Sequence, residues 1–539
     1  MDFSYPWRFE GRRSAAMGTG GMVATSQPLA ARAGLRALED GGTAADAAVT
    51  AAAVLNVVEP HMTGIGGDMF ALVHRDGDII GLNGSGGAPA AADPETYSER
   101  TNETDESGSP TVPASGGLPI TVPGALDGWK RLLGRFGAFD LAEALQPAIR
   151  YARDGFPVTE LVARQWARSA DRLREHEAAA ETFLPDGSAP NPGDRFANPA
   201  FADTLEALAA EGSGLFYGGR LGEAVVEAAQ AAGGSLTLTD LESHAGEWTE
   251  PIATSYHGVE VLEHPPNGQG TVALEALNIA ETFDLGPDPT DPDRLHRLIE
   301  AIKLAFADGY AHITDPDFED IPLSRMLGEA YARDRAGEIG PEAATYATKA
   351  GKGHDTAYLT VVDGDGMAVS FINSLYMSFG SGVATEGFAL QNRGHSFSLD
   401  PDHANVLAPG KRPFHTIIPA MLRMDGEFRA SWGVMGGSMQ PQGHLQVIAA
   451  LVDSRLNPQA ALDAPRFRWL DRQRVALETG RLPASTVETL RERGHEVIAE
   501  PAFTDRGGHF GGGQFIYREP DGRLIGGSDP RRDGLAIGY

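Results

Sequence analysis

Two hydroxyl side chains are predicted to meet where an unpatterned stretch of the chain becomes a β-hairpin. Residues 356–363 (TAYLTVVD) and 367–376 (MAVSFINSLY) are rich in β-branched and aromatic residues, and a Gly-Asp-Gly turn separates them. Counting back from this turn along both strands puts Thr356 opposite Ser374, at the cross-strand Cβ spacing of about 5 Å. A bulge would shift this pairing by one residue.

The chemistry that Thr356 could perform depends on a break in the chain. A hydroxyl is a poor nucleophile until a base takes its proton, and an N-terminal threonine can use its own α-amino group, whose unperturbed pKa is about 8. This chemistry therefore requires cleavage of the Asp355–Thr356 peptide bond. Taken alone, a threonine that starts a strand after a loop is more often purely structural.

Longer motifs give the hairpin its context. In chain order they are GGTAADAAVTAAAVLNVVEPHMTGIGGDMF at 41–70, VPGALDGW at 122–129, PPNGQG at 265–270, HDTAYLTVVDGDGMAVSF at 354–371, FGSG at 379–382, GKRPFHTIIP at 410–419, GVMGGSMQPQGH at 433–444 and GGSDPRRDGLAIGY at 526–539. Together they resemble the γ-glutamyltranspeptidase family over nearly the whole sequence. The resemblance implies an α+β fold, the four-layer αββα sandwich of the N-terminal-nucleophile (Ntn) hydrolases.

The resemblance also implies processing into two subunits. Self-cleavage at Asp355–Thr356 would leave residues 1–355 as a large subunit and residues 356–539 as a small subunit that begins with the nucleophile. Residues 338–355 lose all periodicity and are expected to form a flexible linker at the end of the large subunit. The two subunits are expected to remain associated.

Four residues match catalytic positions of the family. Thr356 matches the nucleophile, and Ser374 matches a second hydroxyl that assists it, usually a threonine. Gly436 and Gly437 match the paired glycines of the oxyanion hole, where backbone N–H groups stabilise a tetrahedral oxyanion. No metal and no other cofactor is expected.

The residues that hold a γ-glutamyl group in the best-known members are not matched. The arginine that takes its α-carboxylate is replaced by Ser85, and the acidic residue that takes its α-amine is replaced by Ser396. Two serines that touch the substrate become His415 and Thr416. An asparagine near the nucleophile becomes Tyr376.

Two nearby basic residues, Arg393 and His395, are candidates to replace the missing cation, although placement at the surface is equally consistent with the sequence. The stretch between Phe397 and Lys411 is shorter than in members that have a lid over the site. A more open cleft would suit larger acyl groups and favour water as the acceptor.

The sequence leaves three functions open, each with a small-molecule amide as the ligand. The first is an autoprocessed amidohydrolase that hydrolyses γ-glutamyl compounds such as glutathione, with transfer as a second outcome. The second applies the same chemistry to bulkier acyl amides, as in the cephalosporin acylases of the family, and the loss of both charged anchors favours it. The third is an uncleaved scaffold that binds an amide, and the retained Thr356, Ser374 and glycine pair weigh against it.

Several predicted elements would position these residues. Helices are predicted from Pro28 to Gly41, from Thr43 toward Asn56, over 141–179 and over 292–310, and a strand is predicted over 70–74. Thr43 and Asp46 resemble a capping box, and the alanines that follow suit a closely packed, buried helix.

Composition excludes several classes of function. The chain of 539 residues contains no cysteine, which excludes disulfides and thiolate chemistry, and its histidines do not have the spacing of a zinc-binding helix. A net charge of −30 would repel nucleic acids and anionic membrane surfaces. No stretch has the length and apolarity of a signal peptide or membrane span, so a cytoplasmic protein is expected.

The same charge has two explanations. A heavily acidic surface with only five lysines is typical of a halophilic protein, in which salt screens the repulsion between carboxylates. The alternative is an acidic protein from an ordinary cytosol.

Overall fold

The computed structural model describes residues 13–105, 107–346, 355–501 and 509–539. The strands are β1 (Ala16–Gly18), β2 (Gly21–Thr25), β3 (Asp68–Arg75), β4 (Asp78–Gly84), β5 (Phe156–Pro157), β6 (Arg195–Phe196), β7 (Glu247–Thr249), β8 (Ile252–Tyr256), β9 (Val259–Glu263), β10 (Asp355–Asp363), β11 (Ala368–Tyr376), β12 (Ala384–Thr385), β13 (Phe388–Ala389), β14 (Ala420–Met424), β15 (Glu427–Met435), β16 (Phe467–Asp471), β17 (Arg474–Glu478), β18 (Glu496–Glu500), β19 (Gly512–Arg518), β20 (Leu524–Ser528) and β21 (Leu535–Gly538).

The helices alternate with these strands along the chain. They are α1 (Pro28–Glu39), α2 (Ala44–Val58), α3 (Pro94–Arg100), α4 (Ala125–Phe136), α5 (Leu141–Asp154), α6 (Glu160–Arg168), α7 (Ala170–Arg174), α8 (Glu177–Phe183), α9 (Pro199–Glu211), α10 (Gly214–Tyr217), α11 (Arg220–Ala231), α12 (Leu238–Glu242), α13 (Gly270–Glu281), α14 (Pro292–His312), α15 (Leu323–Met326), α16 (Glu329–Ala336), α17 (Met439–Val452), α18 (Pro458–Asp463) and α19 (Ala484–Glu492), with short 3₁₀ turns at Pro185–Gly187, Arg393–Ser396 and Thr479–Arg481.

Two antiparallel seven-stranded sheets pack face to face. The first has the order β21-β2-β10-β11-β3-β4-β7, and the second has the order β1-β20-β19-β15-β14-β9-β8. A layer of buried apolar side chains fills the space between them, drawn from both sheets: Met22, Leu72, Leu262, Val362, Met421 and Ile516.

Helices cover the outer face of each sheet. Helices α1, α2 and α4 contact the first sheet and α5 packs on α2, while α13 and α17 contact the second sheet and α14 packs on both. Each pairing of sheet and helices encloses its own apolar core. The order helix, sheet, sheet, helix confirms the predicted four-layer αββα sandwich.

The predicted capping box at the start of α2 is confirmed. The Thr43 side chain accepts from the backbone N–H of Asp46, and the Asp46 carboxylate accepts from the backbone N–H of Thr43. All 15 residues of Ala44–Val58 are buried, because the small alanine side chains let α2 lie close to the sheet and to its neighbouring helices. Helix α1 also forms as predicted, and the Gln27 side chain caps its start.

The hairpin that carries Thr356 lies at the centre of the first sheet, between β2 and β3. Its register is the predicted one from Ala357, opposite Asn373, to Val362, opposite Ala368. A bulge then shifts the pairing by one residue, so that Asp355 lies opposite Tyr376. Thr356 is the residue at this bulge.

One predicted helix was wrong as a single element. The stretch 141–179 is divided among α5, α6, α7 and α8, and the short strand β5 separates α5 from α6. Gly155 ends α5 with a φ of 80°, a conformation that favours glycine, and Pro157 cannot donate a helical hydrogen bond. The helix predicted over 292–310 is confirmed as α14.

Only part of the predicted linker lies within the described residues, because 347–354 lie outside them. The described part of this segment is hydrogen-bonded to α14. The backbone N–H of Ala344 donates to Glu300 Oε2 at 3.2 Å, and Lys303 Nζ donates to the Ala344 carbonyl at 3.1 Å. None of the helices in the described part of the chain has the length and apolarity needed to cross a bilayer.

Candidate active site

Thr356 and Ser374 form the centre of the candidate site. Thr356 Oγ1 lies 3.1 Å from Ser374 Oγ, within hydrogen-bonding distance. Both side chains are buried, with exposed fractions of 1% and 0%. The bulge at the start of β10 turns Thr356 toward β11, so the two hydroxyls meet although the strict register of the ladder is broken.

Ser374 also holds the end of β11 in an unusual conformation. Its Oγ accepts from the backbone N–H of Tyr376 at 2.8 Å. Tyr376 has a φ of 77°, in the left-handed region that bulky residues rarely adopt. Backbone strain of this kind persists where surrounding contacts enforce it, and it is common at functional sites. Here it accompanies the placement of the Tyr376 ring beside Arg393.

Arg393 is buried against both residues. Its guanidinium carbon lies 4.2 Å from the centre of the Tyr376 ring, its Nη1 donates to Thr416 Oγ1 at 2.9 Å, and its Nη2 donates to Ser374 Oγ at 3.4 Å. Burial lowers the pKa of Arg393 to about 10, partly offset by Tyr376 and Asp68, so the guanidinium remains charged at neutral pH. The site therefore contains a fixed cation two hydrogen bonds from Thr356.

A buried aspartate that sequence reasoning missed lies behind this cation. Asp68 Oδ1 accepts from Gln391 Nε2 at 3.0 Å and from the backbone N–H groups of Gly86 and Gly124, while Oδ2 lies 3.1 Å from His415 Nε2. Burial raises the pKa of Asp68 to about 7, although Arg393 and Gln391 oppose this shift.

His415 is held as a neutral ring. Burial, with Arg393 and His264 nearby, lowers its pKa well below the usual range. Its Nε2 donates to Asp68, and its Nδ1 accepts from the backbone N–H of Ile417 at 3.3 Å. Because both ring nitrogens are engaged, His415 supports the Asp68 carboxylate and adds no second positive charge to the site.

Contacts between the two sheets join β10, which carries Thr356, to β15, which precedes the predicted oxyanion glycines. Thr360 Oγ1 donates to Ser431 Oγ at 2.6 Å, and the ring of Tyr358 lies against Gly433. These contacts advance by two residues along each strand, toward the start of β10 and toward the end of β15, just before Gly436.

Gly436 and Gly437 have backbone conformations that favour glycine, with φ values of 133° and 61°. Gln269 Nε2 donates to the Gly437 carbonyl at 2.9 Å and to the Thr416 carbonyl at 2.6 Å. The sequence did not indicate a role for this buried amide, which joins the glycine turn to the segment that carries His415 and Thr416.

The two serines at the clamp positions use their hydroxyls within the protein. Ser85 Oγ donates to Asn83 Oδ1 at 2.7 Å and accepts from Asn267 Nδ2 at 3.3 Å. Ser396 Oγ donates to the backbone carbonyls of Arg393 and Phe414 at 2.8 Å and 2.9 Å. Neither position carries a charge, and Ser396 instead fixes the backbone of Arg393.

His395 lies at the edge of the candidate site. Its Nδ1 lies 2.6 Å from the Val112 carbonyl, and its ring faces that of Tyr376 at 6.3 Å between centres. Of the two basic residues predicted near the site, Arg393 therefore reaches Ser374, whereas His395 contacts the loop that carries Val112.

A separate cluster has the donor types of a metal site. His296, Glu300 and His495 are buried, and one donor atom from each lies within 4.8 Å of the others. Lys303 Nζ, however, donates to Glu300 Oε1 at 2.6 Å. Because that ammonium group already neutralises the carboxylate and would repel a cation, this cluster is better suited to anchoring the segment 340–346.

Comparison with known proteins assigns the family. The γ-glutamyltranspeptidase family model matches residues 30–539. The chain belongs to the γ-glutamyltranspeptidase family. That match covers the hairpin, Arg393 and the glycine turn.

Individual relatives match nearly the full length of this γ-glutamyltranspeptidase-family chain. The glutathione hydrolase-like YwrD proenzyme of Bacillus subtilis is 39% identical, over 97% of this chain and 99% of its own length. The oxamate amidohydrolase proenzyme of Klebsiella pneumoniae is 38% identical, over 98% of this chain and 100% of its own length. The crystal structure of a cephalosporin acylase from Bacillus halodurans is 44% identical with a TM-score of 0.92, covering 100% of this chain and 99% of that one.

These comparisons establish a γ-glutamyltranspeptidase-family hydrolase with the Ntn-hydrolase fold. Asp68 and Gln269 lie in the motifs at 41–70 and 265–270 that carried the family resemblance. Their place in these motifs is a sequence signal, although only their contacts reveal what each residue does. Gln391 lies outside every motif, and its role became visible only from its contact with Asp68.

Proposed function

We propose that the chain cleaves itself at Asp355–Thr356 and then acts as an amidohydrolase on acyl amides that lack the γ-glutamyl pattern of charges. Residues 1–355 would form the large subunit and residues 356–539 the small one. The observation that carries the proposal is the hydrogen bond between Thr356 Oγ1 and Ser374 Oγ at the bulge. The three relatives named above support it, since two are called proenzymes and one a cephalosporin acylase.

Self-cleavage begins with Thr356 Oγ1 attacking the carbonyl carbon of Asp355. The amide nitrogen leaves as the α-amine of Thr356 and takes a proton, which gives an ester between Asp355 and the Thr356 side chain. Water then hydrolyses this ester, so Asp355 ends in a carboxylate and Thr356 regains its hydroxyl. Ser374, within hydrogen-bonding distance of the attacking oxygen, orients it.

Substrate hydrolysis follows the same order of steps: attack by the hydroxyl, departure of the amine and hydrolysis of the ester. The free α-amine of Thr356 takes the hydroxyl proton, Oγ1 attacks the amide carbonyl, and the leaving amine departs with that proton. The backbone N–H groups of Gly436 and Gly437 stabilise the oxyanion. Water, deprotonated by the same α-amine, releases the acyl group as a carboxylic acid. Thr356 is buried in the continuous chain, so cleavage has to open the site to an external substrate.

The substrate preference follows from the clamp positions. A γ-glutamyl group presents an α-carboxylate and an α-amine, and neither Ser85 nor Ser396 offers an opposite charge. Both hydroxyls already form hydrogen bonds within the protein. An acyl amide that lacks the α-amino group therefore forgoes no charged contact that a γ-glutamyl amide would make at these two positions.

A second candidate is a γ-glutamyl hydrolase acting on glutathione-like amides. The name of the Bacillus subtilis relative favours it, and Arg393 supplies one cation near Thr356. This candidate requires an acidic group for the α-amine, and the two candidates therefore differ in the effect of that amine on turnover.

The test is denaturing electrophoresis of the purified protein with N-terminal sequencing of the smaller band, followed by assay with an acyl anilide. We expect two bands, a small subunit that begins at Thr356, and release of aniline. Thr356→Ala should give one full-length band and no release. Two bands in Thr356→Ala would disprove the self-cleavage step, and an intact, inactive wild-type chain would favour the binding scaffold.

A further inference from the structure

The side-chain amide of Gln269 holds two backbone carbonyls together inside the protein. Gln269 is fully buried, and its Nε2 donates to the Thr416 carbonyl at 2.6 Å and to the Gly437 carbonyl at 2.9 Å. A side-chain amide nitrogen carries two hydrogens, so one Nε2 can serve both carbonyls. Two segments of the chain are therefore joined at a single atom.

The backbone of Gln269 is itself held against one of these segments. Its N–H donates to the His415 carbonyl at 3.0 Å, and the His415 N–H donates to the Asn267 carbonyl at 2.8 Å. Helix α13 begins at the next residue, Gly270. Because the backbone is fixed on both sides of the side chain, the amide is a rigid support.

The Gly437 carbonyl belongs to a turn with little conformational preference of its own. Glycine adopts left-handed and right-handed backbone angles about equally, and Gly436 and Gly437 are adjacent in this turn. The Gly437 carbonyl accepts from the N–H of Gln440 at 3.1 Å and from Gln269 Nε2. The first donor lies at the start of α17, directly after the turn, whereas the second comes from a distant part of the chain. Gln269 therefore fixes the turn relative to the rest of the site.

The Thr416 side of this bridge leads to the nucleophile pair. Thr416 Oγ1 accepts from Arg393 Nη1 at 2.9 Å. Arg393 Nη2 donates to Ser374 Oγ, which lies 3.1 Å from Thr356 Oγ1. Hydrogen bonds therefore link the oxyanion turn to the nucleophile through the residues Gly437, Gln269, Thr416, Arg393, Ser374 and Thr356. Gln269 is the one member of this series that precedes residue 356, so the large subunit would supply it.

We propose that Gln269 is a positioning residue, which holds the predicted oxyanion turn at a fixed distance from Thr356 without touching the substrate. This inference rests on the proposed amidohydrolase activity. Oxyanion donors act by pointing at the position where charge develops in the transition state. Loss of the Gln269 amide should therefore slow the chemical step and leave substrate binding nearly unchanged, because the interaction it supports forms only in the transition state.

The first variant removes both hydrogen bonds. Gln269→Met keeps the length and bulk of the side chain and has no donor. We measure hydrolysis of glutaryl p-nitroanilide per cleaved chain. We expect kcat to fall on the order of a hundredfold, the effect of a misplacement of about 1 Å, while KM changes by less than about threefold. An unchanged kcat, or a loss confined to KM, would overturn the inference.

Gln459 provides the matched control. It is buried outside the site, its Nε2 donates to Asp463 Oδ1 and to the Ser528 carbonyl, both at 2.9 Å, and its Oε1 accepts from the Ser528 N–H at 3.0 Å. Gln459→Met therefore removes at least as many hydrogen bonds. We expect it to lower Tm at least as much as Gln269→Met does, and to keep kcat within about twofold. An equal fall in kcat in both variants would overturn the inference, because general destabilisation would then explain it.

The second variant tests the hydrogen bonds directly, and it decides if Gln269→Met does not fold. In Gln269→Glu an ionised carboxylate faces two carbonyl oxygens and cannot donate, whereas the protonated acid donates one hydrogen bond. Burial raises the pKa of such a carboxyl, so mildly acidic solution populates the acid. The kcat of Gln269→Glu relative to the wild type should rise about tenfold from about pH 8 to about pH 5.5, the worth of one hydrogen bond. A ratio that stays flat or falls would overturn the inference.

The ratio also removes the pH dependence of the neighbouring groups. His415, Asp68 and Arg393 are the titratable residues of the segments around Gln269, and all three are present in both proteins. The failure of the proposed function has a different signature. An active wild type whose Gln269 variants keep its kcat refutes the role of Gln269 alone. A wild type that neither cleaves itself nor releases nitroaniline refutes the amidohydrolase, and the positioning role with it.

Discussion

The ring of Tyr358, on β10, lies directly against Gly433, on β15 of the facing sheet. A Cβ at position 433 would come within 2.5 Å of Tyr358 Cε2. This contact joins the strand that begins at Asp355 to the strand that ends just before Gly436. The absence of a side chain at 433 therefore sets the separation between the candidate nucleophile and the candidate oxyanion turn.

Gly433→Ala should consequently destabilise the fold and slow self-cleavage. Overpacking of a tight interior contact costs about 1–3 kcal/mol, and the strain displaces the start of β10 from Gly436. The measurements are urea unfolding and the time course of the two bands after synthesis. Gly134→Ala is the control, because nothing lies within 4 Å of its added methyl group in α4, and alanine there should stabilise by about 0.5–1 kcal/mol. Equal effects of the two substitutions would contradict this account.

Ser374→Ala should lower turnover more than it lowers substrate binding. The substitution removes the hydroxyl that meets Thr356 Oγ1 and accepts from the Tyr376 N–H. Loss of a positioned hydroxyl in proton transfer costs about a hundredfold in rate. We expect kcat per cleaved chain to fall by that order with a smaller change in KM. A change confined to KM would assign Ser374 to substrate binding.

The sequence predicted the central hairpin because its strands have a periodic pattern, whereas the four layers were predicted from the family resemblance. Alternating β-branched residues around a Gly-Asp-Gly turn determined the register of β10 and β11, and the capping box at Thr43 marked the start of a buried helix. The bulge at Thr356 has no such trace. The Ser374 hydroxyl beside it contacts the backbone N–H of Tyr376 and the side chain of Arg393, and no periodic pattern indicates these contacts.

The polar network around the site was harder to predict from the sequence than the hairpin. A lone aspartate in a glycine-rich loop and a lone glutamine after a strand are uninformative until folding brings Asp68 and Gln391 within 3.0 Å. Similarly, a positive φ at Tyr376 contradicts the preference of a bulky residue, so no local rule predicts that its ring supports Arg393.

Asp68 should make stability depend on pH. Burial raises its folded-state pKa from 3.8 to about 7, so the folded chain retains a proton that the unfolded chain releases near pH 4. The stabilising contribution is complete below pH 4 and is lost as the pH rises through about 7. The Tm of the wild type minus that of Asp68→Asn should therefore fall between pH 4.5 and 7.5. A difference that stays constant or rises over this range would contradict the raised pKa.

Salt should stabilise the chain if its charge reflects a halophilic origin. A net charge of −30 over 539 residues produces repulsion between surface carboxylates, and added ions shorten its range. We expect Tm to rise as KCl increases from about 0.1 M into the molar range, as the screening length falls. Sucrose at matched water activity is the control for general solute effects. A flat or falling Tm would favour an ordinary acidic protein.

The two candidate substrate classes are separated by one amine. γ-Glutamyl and glutaryl p-nitroanilides both present a carboxylate at the end of the acyl chain, and only the former carries an α-amino group. Ser396 donates its hydroxyl to two backbone carbonyls and bears no charge, so it cannot pair with that amine, while the nearby Arg393 repels it. We therefore expect kcat/KM for the glutaryl substrate to equal or exceed that for the γ-glutamyl substrate, with little acceleration by glycylglycine. A γ-glutamyl preference above about a hundredfold, equivalent to roughly 3 kcal/mol, would mean that another acidic group rebuilds the clamp, and the γ-glutamyl hydrolase would replace the acyl amidohydrolase as the function.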